Sequence, residues 1–72
     1  MRIRISDPEL RDELVSYLAQ SDAILQEVGD DEVEVSIVGS YNSEAMRIEL
    51  YLRLRAWEAS RRARGAEVEI LG

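Results

Sequence analysis

The sequence predicts a small α+β domain whose elements run strand, helix, strand, strand, helix, strand. Three observations carry this expectation. Apolar and polar residues alternate in several short stretches, the two-residue period of strands with one buried face. Two longer stretches repeat apolar residues at helical spacing and open on residues that cap helices. Clusters of turn formers separate these stretches, and no linker, repeat or low-complexity tract divides the 72 residues, so one domain covering 1–72 is expected.

Met1, Ile3 and Ile5 alternate with Arg2, Arg4 and Ser6, which predicts the first strand. Asp7-Pro8-Glu9 then opens a helix. Asp7 is a capping residue, Pro8 fits the first helical position, and Glu9 favours the positive end of the dipole, although a Ser6/Glu9 capping box is an alternative start. Leu10, Leu14, Val15, Tyr17 and Leu18 form its apolar stripe, which fades at Gln20-Ser21-Asp22. Ala23 to Val28 reads as an edge strand whose inward face stays open: Ile24 and Val28 point one way, and Ala23, Leu25 and Glu27 the other. Gly29-Asp30-Asp31 supplies a turn, and Glu32 to Val38 alternates with Val33, Val35 and Ile37 inward, predicting a hairpin. After a polar loop from Gly39 to Ser43, Asn42 or Ser43 can cap a long helix expected to run to Arg64, where Gly65 stops it. Ala66 to Leu71 alternates again and makes the last strand.

This order resembles the split β-α-β layout of the ferredoxin-like superfold over nearly the whole chain. The resemblance implies an antiparallel sheet in spatial order 4-1-3-2 with both helices on one face. Outward residues support the order independently. Arg2 and Arg4 on the first strand would lie between Glu32 and Glu34 on one side and Glu67 and Glu69 on the other, setting opposite charges across both ladders. The resemblance is one of topology and names no family. Acylphosphatase-like and heavy-metal-binding members need an arginine-bearing phosphate loop or a CxxC after the first strand, where this chain has Ser6-Asp7-Pro8-Glu9. Amino-acid-sensing ACT modules commonly place a glycine near the first helix, and here no glycine precedes Gly29.

Composition removes several functional classes. Cysteine and histidine are absent, so disulfides, thiolate clusters and imidazole metal sites have no ligands, and neither a cofactor nor a metal is expected. All nine basic residues are arginine, which leaves no lysine for Schiff-base chemistry. A net charge of −6, with arginine, glutamate and serine where RNA-binding relatives of this layout carry stacking aromatics, argues against nucleic acid. No apolar run reaches the roughly eighteen residues of a membrane span and no leader pattern opens the chain, so a cytoplasmic location is expected. No serine has a recognisable base partner, and the chain reads as non-enzymatic.

The long helix carries the main functional expectation. Ala45, Ile48, Leu52, Ala56, Ala59 and Ala63 fall on one stripe, and Met46, Leu50, Leu54 and Trp57 on another roughly 145° away. At about 33 Å, a helix of this length overhangs strands of about 20 Å, so part of its apolar surface needs another partner. Met46, Leu50, Leu54 and Trp57 are the expected interface for a homodimer or protein partner, because tryptophan and its neighbours dominate interface energetics. A small domain without disulfides also benefits from oligomerisation. The other reading buries both stripes within one subunit.

Residues 43–64 hold six arginines against three glutamates, so this segment is basic inside an acidic chain. Arg61, Arg62 and Arg64 are its candidate anion contact, weighed against pairing of Glu49 with Arg53 and Glu58 with Arg62 along the helix. The Gly39–Ser43 loop could hold a phosphate but lacks the spacing of a phosphate loop. Tyr17, Tyr41, Tyr51 and Trp57 could line a pocket or simply pack. The leading expectation is therefore a non-catalytic homo-oligomerising or protein-interaction module. The alternative is a small-molecule or anion sensor with its ligand at a dimer junction near Tyr41 and the arginine end of the helix.

Overall fold

Alternation of β-branched residues with charged ones lets a strand bury one face and hydrate the other, and three strands here use that pattern. The computed structural model describes residues 1–39 and 41–71. The elements are β1 (Arg2–Ile5), α1 (Arg11–Ala19), β2 (Ala23–Glu27), β3 (Glu32–Ile37), α2 (Ser43–Glu58) and β4 (Val68–Ile70). The four strands form one antiparallel sheet in the order β2-β3-β1-β4, which is the expected 4-1-3-2 order viewed from the other side.

Ile3, Ile5, Val33, Val35 and Val68 face the helices and are buried in one core with Leu14 and Leu18 of α1 and Leu50, Leu54 and Trp57 of α2. The opposite face carries most of the expected charge ladder, except that Glu67 falls opposite Ser6 and leaves Arg2 with an acidic neighbour on one side only. Arg2 stands across from Glu34, and Arg4 lies between Glu32 and Glu69. The Arg4 guanidinium approaches Glu32 at 3.7 Å and Asp31 at 3.9 Å. Such exposed pairs are worth at most about 1 kcal/mol each, so the ladder sets register more than stability.

Three details left open or mistaken at the level of sequence are decided by packing. Asp7, not Ser6, starts the first helical segment: its Oδ1 accepts the Glu9 amide at 3.0 Å, and a 3-10 turn over Pro8–Leu10 leads into α1. Ser6 Oγ instead accepts the Glu67 amide at 2.9 Å. In β2, Ala23 and Leu25 are partly buried against the core, whereas Ile24, 65 % exposed, and Val28 lie outward.

The long helix does not reach Arg64. Its N-terminus is capped as expected, with Asn42 Oδ1 accepting the Ala45 amide at 2.8 Å, but α2 ends at Glu58. Ser60 turns to an extended conformation, and its hydroxyl donates to the Trp57 carbonyl at 2.6 Å. A separate 3-10 turn over Arg61–Ala63 follows, then Arg64 at φ 48° and Gly65 at φ 83°, where glycine meets the left-handed backbone without a Cβ penalty. The break folds Ala63 and Ala66 into the core, a gain that a continuous helix would forfeit. At sixteen residues α2 spans about 24 Å, so most of the anticipated overhang disappears.

Candidate functional site

The apolar stripe expected at an interface is the one the core consumes. Leu50 and Leu54 are fully buried, Trp57 is 1 % exposed, and Met46 is partly buried with its sulfur accepting the Ile37 amide at 3.3 Å. The expectation of an interface through Met46, Leu50, Leu54 and Trp57 is therefore corrected. Large side chains bury more apolar area than alanines, so the sheet takes the leucine and tryptophan stripe and leaves Ile48, Leu52, Ala56 and Ala59 of the other outside, Ala63 entering the core only past the end of the helix. That size difference was the signal available in the sequence.

What remains on the surface is Ile48, Tyr51 and Leu52, 55 %, 49 % and 61 % exposed. Ile48 and Tyr51 form one wall of a groove of about 720 Å³ between α2 and β4, and Val68 and Ile70 form the other. Arg47 and Arg55 stand on the helix side of the rim, and Glu67 and Glu69, with Arg4 beside them, on the strand side. The groove thus has an apolar floor between a basic helix wall and a strand wall on which two carboxylates outnumber one guanidinium.

Its strand wall is clamped at Val68 by α2. Glu58 accepts the Val68 amide at 2.6 Å, and Arg55 donates to the Val68 carbonyl at 3.2 Å. Arg55 and Glu58 also pair with each other, and the guanidinium lies 4.9 Å from the centre of the Tyr51 ring. Two side chains thereby satisfy the Val68 backbone groups that another strand would otherwise bond. Glu58→Ala is expected to cost about 1.5–3 kcal/mol in urea unfolding, the range for hydrogen bonds to a charged group. A cost under about 0.5 kcal/mol would show that only a surface ion pair is lost.

The arginines proposed for anion contact do not act together. Arg62 and Arg64 line a cleft with Glu9, Asp12, Glu13 and Ser16 of the first helical segment, and Arg61 lies outside it. Three carboxylates beside two guanidiniums make a poor anion site. Because α2 stops at Glu58, Glu58 pairs with Arg55 in place of the expected Arg62. Nor do the aromatics converge: Tyr41 is 99 % exposed, and Trp57 is buried. Tyr41 and Arg61 sit beyond opposite ends of α2, about 24 Å apart along it. Ser40, within the loop considered for phosphate, lies outside the described residues.

Among the described residues, no cluster of three or more acidic, cysteine or histidine side chains could hold a metal ion. Among them, no helix is long and apolar enough to cross a membrane. No protein-family model matches the chain, and no curated protein or solved structure matches it.

Proposed function

We propose that the domain is a non-catalytic interaction module that pairs with a second copy of itself through the α2–β4 groove. The observation that carries this reading is the exposed Ile48–Tyr51–Leu52 surface of α2 beside a groove whose two walls have opposite charge. A two-fold contact must be complementary to itself. Rotation about such an axis sets Arg47 of one copy toward Glu67 and Glu69 of the other, while Ile48, Tyr51 and Leu52 meet across the seam. A foreign strand is a poorer occupant, because Arg55 and Glu58 already hold Val68.

Light scattering after size exclusion at micromolar concentration is the test. The native chain is expected to run at twice its 8.2 kDa mass, and Leu52→Glu at the mass of one chain. A native chain that stays monomeric at those concentrations would remove the proposal.

The sensing alternative draws on one observation, the groove volume, which suits a small ligand and is bordered by Arg4, Arg47 and Arg55. A rise of several degrees in melting temperature with one anionic metabolite, absent in Arg47→Ala, would favour it.

A further inference from the structure

The two edges of the sheet are not equivalent. In an antiparallel ladder, successive residues turn their N–H and C=O groups to alternate sides. On β4, Leu71 donates to Arg2 and Ser6 to Glu67, both at 2.8 Å, so Val68 and Ile70 face outward, and the clamp from α2 closes Val68. On β2, Val28 donates to Glu32 at 3.1 Å and Val38 to Asp22 at 2.8 Å, so Ala23, Leu25 and Glu27 face outward. Ser21 takes the Ala23 amide at 2.7 Å, but no group among the described residues bonds the amides of Leu25 and Glu27.

Charge separates the edges as well. The solvent faces of β1, β3 and β4 carry Arg2 and Arg4, Glu32 and Glu34, and Glu69, whereas β2 presents Ile24 and Gln26, with Val28 just beyond it. Charges on an edge normally discourage pairing with another chain. Within Ala23–Glu27 the outer face carries no charge, the nearest being Asp22 just before the strand, and the one charge on the inner face, Glu27, is held by Arg11 of its own subunit at 3.4 Å.

We propose that β2 is a second docking surface, where it pairs antiparallel with β2 of another copy about a two-fold axis through Leu25, joining two four-stranded sheets into one of eight. In this register Leu25 meets Leu25, Ile24 meets Gln26, and Ala23 meets Glu27, so no like charges stand opposite one another. The β4 edge, capped at Val68, supplies the complementary constraint. Head-to-tail pairing of β2 with β4 would propagate into an open filament, and the clamp on Val68 obstructs it while leaving the self-complementary contact free. This surface lies on the edge opposite the α2–β4 groove and does not depend on it.

The contact is short, well below the ~1,200 Å² of a stable interface, so it is expected to form above about 100 µM, where the groove is already occupied. Residue-resolved hydrogen exchange between about 50 µM and about 1 mM tests it. The Leu25 and Glu27 amides are expected to gain at least about tenfold protection with concentration, in the native chain and in Leu52→Glu alike. Leu25→Pro removes an amide the β3 ladder does not use, and Ile24→Lys places a charge on the exposed outer face; either is expected to abolish the gain. Exchange independent of concentration at both amides would overturn the proposal. So would a gain that survives Ile24→Lys, or one that vanishes in Leu52→Glu, which would assign the protection to the groove.

Discussion

Replacing Trp57 with alanine is expected to leave much of the domain unfolded at 25 °C. Truncating a buried tryptophan costs about 3–5 kcal/mol through lost transfer energy and the cavity left behind. A domain of this size, with no disulfide, has a core that rarely supplies more than about 3–5 kcal/mol, so the two quantities are comparable. Trp57 is also the junction of the fold: it ends the core stripe of α2, and its carbonyl receives the Ser60 hydroxyl that starts the chain's turn toward β4. Thermal melting by circular dichroism should show loss of the cooperative transition or a large fall in its midpoint. In the native chain at monomer concentrations, tryptophan emission should be blue-shifted and resist acrylamide. A Trp57→Ala protein melting near the native midpoint would mean that the indole is not a core side chain.

Leu52→Glu should have the opposite profile, with folding preserved and pairing lost. Leu52 is 61 % exposed, so its replacement is expected to move the monomer's stability by no more than about 0.5 kcal/mol. In a two-fold contact the substitution counts once in each copy. Removing about 1.5–3 kcal/mol of leucine burial twice, and placing two carboxylates near the seam, should raise the dissociation constant at least about 100-fold. Sedimentation over a concentration series, with melting recorded on the same samples, separates the effects. Unchanged association would exclude α2's outer stripe as the seam. A fall in melting temperature equal to that of a core substitution would mean that Leu52 supports the monomer.

The elements legible in the sequence were those whose signal is local. Strict alternation in β1 and β3 and the turn at Gly29-Asp30-Asp31 act within a few residues and were found where the pattern placed them, and of the two cap candidates, Asn42 and Ser43, Asn42 caps α2. Strand order was also legible, because Arg2 and Arg4 face acidic residues on β3 and Arg4 faces one on β4. The end of α2 was not. Ser60-Arg61-Arg62-Ala63 has adequate helical propensity, and the break appears only once Ala63 and Ala66 have a core to enter. The candidate site was half legible: two apolar stripes were visible on α2, but periodicity does not state which one meets the sheet. The seal on β4 was hidden, since Arg55 and Glu58 reach Val68 across thirteen and ten positions of chain.

By itself, the sequence determined the element order, the antiparallel sheet with its charge ladder, and the absence of thiol, imidazole and lysine chemistry. These follow from composition and from periods of two and 3.6, which any short window of the chain carries. Only the tertiary structure decided that Trp57 lies inside and Leu52 outside, that α2 stops at Glu58, and that one sheet edge is capped at Val68 while the other stays open. Each of these is a competition between distant groups for the same space or the same hydrogen bond, and such a contest has an outcome only after the chain has closed on itself.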